Sequence, residues 1–370
     1  MNPSATTRDW FALAALVVTW GSSFAMTKVA VASIDPAWVM ALRLSVAGVL
    51  LAIIVTLTRR QWPRARYLWG WFAGLGLIGH AVPFFLISWG TQFISSGLSG
   101  VLMGSIPLFV ILLAHFFLPD EKLTRMKAVG FVIGFIGLMI VLGPEKLLRF
   151  QGQGMALIGE AAILFACICY AVHGLLARRI PFQGPVEQAA AVCLSGGVMG
   201  LIFAGFYAPH GLSMATPLAY LCVIGLGIVP TAIATLLVYS IVRSAGVSFV
   251  AYSNYLVPVY ALGLGAIILG ETLTANVGIG LVLILAGIAA SRMRRSKSTL
   301  SAELYPHPEV RAKRASKGLL QQGRSILMDA SRAASRPPQT VCPFPYRGDS
   351  PSMRLRGLPG QAGQSLKQGG

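Results

Sequence analysis

Charge is scarce in this chain: 11% of its 370 residues are Asp, Glu, Lys or Arg, against roughly 25% in a soluble domain. The scarcity is uneven. Residues 1–291 hold 15 basic and 8 acidic residues, whereas 292–370 hold 15 and 4, so an apolar body is joined to a basic tail near Ser291. Metal-ligand spacing of the zinc-site kind is also missing, since no Cys-x-x-Cys pair occurs. Cys167, Cys169, Cys193 and Cys222 fall inside apolar runs and read as small packing residues, while Cys342 stands alone in the tail. No phosphate-cradling loop, dinucleotide fold or hydrolase motif occurs, which excludes ATP-driven transport within this chain and leads us to expect no enzyme, no cofactor and no metal. The formal net charge of +18 does not point to nucleic acid, because the positive residues lie in short loops and in the tail rather than on a folded basic domain. No cleavable signal is expected either, since the first apolar run exceeds a signal-peptide core.

What is abundant is long apolar sequence. Runs separated by short polar breaks occupy 10–32, 37–58, 68–90, 94–118, 126–143, 155–177, 188–208, 217–241, 247–269 and 275–291. A membrane crossing needs about 20 apolar residues, and lipid offers no partner for an exposed backbone amide, so runs of this length predict helices rather than barrel strands. With the N-terminus cytoplasmic, inner segments carry 15 Lys or Arg and outer segments only Lys28, Lys146 and Arg149. The positive-inside bias therefore predicts an integral membrane protein with both termini in the cytoplasm.

The body repeats itself. Ser95-Ser96-Gly97-Leu98-Ser99 matches Ser244-Ala245-Gly246-Val247-Ser248, Ile106-Pro107-Leu108 matches Val257-Pro258-Val259, and Glu121-Lys122-Leu123-Thr124 matches Glu271-Thr272-Leu273-Thr274. Gly130, Gly137 and Pro83 recur as Gly280, Gly287 and Pro230. Five helices per copy is an odd number, so the second copy enters the membrane from the opposite side. The loop carrying Arg59 to Arg66 and the segment carrying Lys122, Arg125 and Lys127 correspond to segments without Lys or Arg. The fold class is thus all-α integral membrane, with ten transmembrane helices as two inverted five-helix repeats (10–143 and 154–291) and a basic, disordered C-terminal tail over 292–370. Inverted repeats of this kind characterise secondary transporters.

With these features the chain resembles the drug/metabolite transporter superfamily, in particular its EamA-type members. The resemblance rests on Trp20-Gly21-Ser22-Ser23-Phe24, the Ser-Gly-Leu to Ile-Pro-Leu stretch of the fourth run, its counterpart from Gly246 to Pro258-Val259, and Leu269-Gly270-Glu271 before the last run; the first half carries Asp120-Glu121 where Gly-Glu is usual. It covers about residues 10–291. It implies export or exchange of small metabolites, often amino acids or their derivatives, through a central cavity lined by both halves.

Four prolines lie mid-run in corresponding pairs: Pro83 and Pro107, Pro230 and Pro258. Each frees the carbonyl four residues earlier (Gly79, Met103, Leu226 and Asn254), and the expected role is a hinge or a helix break that lines the cavity. Asn254 is expected in the turn that Pro258 opens, where its amide can meet a zwitterion. Trp20, Phe24, Tyr170, Tyr255 and Tyr239 are candidate aromatic walls, with Met103 and His80 beside them. Glu160, the acid deepest in an apolar run, is the candidate for proton coupling. Arg43, seven residues into the second run, either binds an anionic group or snorkels to the headgroups, and snorkelling is the expectation. Glu121 and Glu271 fall at opposite faces and read as helix-start caps or gate contacts. Gly130 to Gly134 permits close helix packing first and a homodimer contact second.

The leading reading is a secondary transporter, an exporter or exchanger of a small solute within the lipid bilayer by alternating access. The rival is a helical scaffold serving as a sensor or intramembrane enzyme. The tail reads as a reading frame continued past an ancestral end or as a regulatory segment.

Overall fold

The computed structural model describes residues 6–118, 123–143, 154–180, 184–213 and 215–292. Glu121 and the tail beyond residue 292 lie outside them. Ten long helices follow in order: α1 (Thr7–Ala30), α2 (Pro36–Leu57), α3 (Arg66–Thr91), α4 (Ser96–Phe117), α5 (Arg125–Leu142), α6 (Gly154–Ala177), α7 (Pro185–Tyr207), α8 (Pro217–Ser244), α9 (Ser253–Leu269) and α10 (Ala275–Arg292). The first eight are long and apolar enough to cross a membrane, and α9 and α10 are shorter apolar helices. Helix starts are written in the sequence. A Thr6–Asp9 capping box opens α1, the Asp35 carboxylate caps α2 before Pro36, and Thr216 caps α8 before Pro217, each satisfying amides that a helix leaves unpaired. Gly270 ends α9 in a left-handed conformation, φ 64°.

Many large apolar side chains are exposed, Phe206 at 87% and Ile267 at 81% among them, as lipid contact demands.

Corresponding helices of the two halves pack antiparallel, a direct sign that one copy is inverted. Gly130 abuts Gly287 while Gly137 abuts Gly280, so residue numbers rise on α5 as they fall on α10. Helices α2 and α7 do the same, with Gly197 on Ser45 and Gly48 on Leu194, and α4 meets α9 with Gly104 on Pro258 and Gly100 on Ala261. Absence of a side chain at these glycines lets backbones touch, the way helices associate where lipid removes the hydrophobic drive. The Gly130 to Gly134 face, read as a second-choice dimer contact, is occupied within the chain by α10 and by Leu108.

The core follows the same plan. One cluster joins Met40, Ala41 and Leu44 of α2 to Ala81 and Phe84 of α3, Cys193 of α7 and Ala232 of α8; another joins Phe24, Ile87, Ala166 and Ala261 from α1, α3, α6 and α9. Each draws on both halves.

Candidate functional site

Helices α3 and α8 are interrupted at matched places. Leu77–Ala81 of α3 and Ile228–Ile233 of α8 are π-helical, and each segment adjoins or contains the matched proline, Pro83 or Pro230. Proline supplies no amide hydrogen and its ring crowds the carbonyl four residues back, so the helical ladder widens locally. The Leu226 carbonyl freed by Pro230 accepts the Thr231 hydroxyl at 2.8 Å. That hydroxyl in turn accepts Nε of Arg43 at 2.9 Å. A chain of polar contacts therefore runs from α2 of one half to the widened turn of α8 in the other.

Arg43 is 9% exposed, and its guanidinium carbon sits 3.8 Å from the centroid of the Phe84 ring, a cation–π stack. The snorkelling expectation is corrected: Arg43 points into the bundle because α2 is clasped by α7 and by Gly227 of α8, and Thr231 and Phe84 satisfy part of its polar demand. No acid among the described residues pairs with it; Glu187 instead pairs with Arg60, at 3.7 Å.

Beside it, His80 on the π-turn faces Phe84 at 5.7 Å and His173 of α6 at 5.5 Å between ring centroids, both edge-on. The buried Nδ1 of His80 has no hydrogen-bond partner. Gly79 makes room for this pair, since a Cβ there would overlap the His173 ring. Tyr170 of α6 packs on both inter-half clusters, and Tyr239 and Tyr170 on that containing Phe84.

The other candidates fall in three separate clusters. Phe24, Met103 and Tyr170 meet in one cluster. Trp20 instead packs with Leu13, Leu16 and Ile241, and Tyr255 against the α4, α5, α6 and α10 cluster. Glu160 is 1% exposed, beside the α3–α6 crossing where Gly159 abuts Gly90. Pro107 starts the second piece of α4, Ile106–Phe117, after a break at Gly104 and Ser105. Pro258 lies inside α9, which continues past it, and a separate break falls earlier, at Ala251 and Tyr252. Asn254 stands in the first turn of α9, half-buried, where Pro258 supplies no amide to its carbonyl. The Pro258 ring is wedged against Gly104, which braces the helix where its hydrogen bond is lost. No group of three or more His, Cys, Asp or Glu among the described residues can hold a metal ion.

Sequence reasoning read Glu271 as a helix-start cap or gate contact but missed which helix it caps and how the two ends are fastened. At one end Glu271 accepts the amides of Ser96 at 2.6 Å and Gly97 at 2.9 Å. There Lys28 donates to the carbonyls of Thr91 and Ile94, each at 2.8 Å, closing the C-terminal end of α3. At the other end the Ser244 hydroxyl donates to the Asp9 carboxylate. The 95–99 and 244–248 repeat segments are thus each gripped by a carboxylate from outside their own helix pair. The available signal was the repeat itself, which marks both segments.

The EamA-like transporter family model matches residues 9–143 and 157–293. Similar proteins include the "Uncharacterized transporter YoaV" of Bacillus subtilis, 26% identical over 74% of this chain and 92% of its own length, and the "Uncharacterized inner membrane transporter YedA" of Escherichia coli K12, 27% identical over 71% and 83%. A "Probable terminal-alkyne amino-acid exporter" of Streptantibioticus cattleyicolor is 29% identical over 75% and 91%. A solved crystal structure 19% identical in sequence shares the fold, with a TM-score of 0.57 over 78% of this chain and 99% of that one.

Proposed function

This chain belongs to the EamA-like transporter family, an integral membrane family of transporters rather than enzymes, and from that premise we propose that it is a secondary transporter moving a small metabolite by alternating access. The observation that carries the reading is the pair of π-turns beside Pro83 and Pro230, in equivalent helices of opposite halves, with Arg43 bridging toward one of them. Irregular backbone at depth is tolerated where it lines a working site, and inverted halves rocking about such a site are the usual means of alternating access. In the conformation described, Arg43 is 9% exposed, so a solute reaches it when the halves part.

The solute is an amino acid or a derivative, in keeping with the name of the Streptantibioticus relative, and movement is by export or exchange. The central site is formed around Phe24, His80, Met103 and Tyr170, with Glu160 available for proton coupling. Trp20, Tyr255 and Asn254 flank it. Both termini face the cytoplasm, from the distribution of Lys and Arg, and the membrane is the bacterial inner membrane.

The test is transport by purified protein in proteoliposomes loaded with a pooled amino-acid mixture, with and without a pH gradient. Selective loss of certain amino acids, accelerated by the same solute outside, is the expected result, and dependence on the gradient that Glu160→Gln removes assigns coupling. Equal leakage of all solutes, with no acceleration, contradicts the reading.

A further inference from the structure

A guanidinium held in the bundle interior without a carboxylate partner is costly unless something else balances its charge. Arg43 is in this position. Its Nε is committed to Thr231 and one face of its plane to Phe84, which fixes the group's orientation. The two terminal nitrogens are left as a fork with no hydrogen bond to a described residue. His80 adds a second unpartnered polar atom in the same region, its buried Nδ1, on a ring that also packs against Phe84.

We infer that Arg43 is the anchor for the solute's carboxylate, so that the transported class is monoanionic or zwitterionic carboxylic acids; this rests on the transporter reading above. A planar carboxylate matches the guanidinium fork bidentately, and a pre-oriented fork loses little freedom on binding. One positive charge balances one negative charge, which disfavours a phosphate dianion at the same place. The aromatic surfaces of Phe84 and Tyr170, packed in one cluster, offer the apolar flank that the remainder of an amino acid or short carboxylic acid requires. Carboxylate binding would also offset the buried charge of Arg43, coupling occupancy of the site to its energetics.

The experiment uses the full-length purified protein in detergent and follows its melting temperature against the twenty amino acids, straight-chain monocarboxylates of three to six carbons, the corresponding decarboxylated amines, and inorganic phosphate. One or more carboxylates should raise the melting temperature by several degrees while the amine lacking only the carboxyl does nothing. Arg43→Gln, folded, should lower the affinity for that carboxylate by at least about tenfold, since the charged bidentate contact is gone. Where Arg43→Gln fails to fold, Arg43→Lys serves: it keeps the charge without the fork, and affinity should again fall by at least about tenfold. Equal stabilisation by the amines, preference for phosphate, undiminished affinity in the folded variant, or no stabilisation by any carboxylate overturns the inference. Proteoliposomes separate this from failure of the transporter reading. Movement of amines without movement of carboxylates removes the Arg43 assignment and leaves a transporter, whereas movement of neither removes both.

Discussion

Glu271, on the connection into α10, accepts the backbone amide of Ser96 at 2.6 Å and that of Gly97 at 2.9 Å, so an acid of the second half caps the first turn of α4 in the first. The N-terminal amides of a helix carry a partial positive charge and no intrahelical partner. A carboxylate from the opposite repeat satisfies them while tying the halves at one end of the bundle. Lys28 fastens the same end by donating to the carbonyl of Thr91, the last residue of α3, and to that of Ile94 just beyond it.

Glu271→Ala leaves both amides without their acceptor and should lower stability by about 1–3 kcal/mol, the usual cost of an orphaned buried donor. Glu271→Gln keeps one acceptor and should cost less. Melting of the purified protein in detergent checks the order, and equal melting of wild type and the alanine variant contradicts it.

The glycine contacts between α5 and α10 predict a contrast between two alanine variants. A Cβ at Gly137 would stand 2.7 Å from the Gly280 carbonyl oxygen, whereas one at Gly174 in α6 meets nothing within 4 Å. Gly137→Ala should therefore destabilise by about 1–3 kcal/mol through overpacking. Gly174→Ala should be neutral or more stable by up to about 1 kcal/mol, from helix propensity alone. Thermal melts of the two proteins decide it.

Thr231 links the freed Leu226 carbonyl to Arg43, so its hydroxyl is asked to donate and accept at once. Thr231→Val keeps the shape and removes both bonds. Transport should fall by about tenfold or more at equal protein in the membrane, the scale of one lost charged hydrogen bond, and Thr231→Ser should restore most of it. Transport by the valine variant at the wild-type rate would show that the contact is dispensable.

Ten helices, their duplication and their inversion were legible because each leaves a periodic mark: apolar runs of membrane length, recurring Gly, Pro and Ser-Gly segments, and positive charge lost from the second copy. Pro83 and Pro230 were legible as irregular positions for the same reason, since proline removes a donor wherever it sits. The form of the irregularity was not, because a π-turn depends on whether a neighbour such as Thr231 can take the freed carbonyl. Pro258 illustrates the converse, a proline inside a helix that continues past it, packed against Gly104. Arg43 was underestimated because its depth along α2 is visible in the sequence but its direction is not. That direction comes from α7 and α8, which are distant in the chain. The pairing of His80 with His173, between α3 and α6, is hidden for the same reason.

The central claim is that one interior site is opened to each side of the membrane in turn. Met103, at the break in α4 and packed in the cluster shared by α1, α3, α6 and α9, is placed to report on it. Met103→Cys, in a transport-competent background without the native cysteines, would be exposed to a membrane-impermeant thiol reagent from one side of sealed vesicles at a time. Labelling from both sides, slowed from both by transported solute, is the predicted result. Labelling from neither side, or from one side only under every solute condition, would contradict the account.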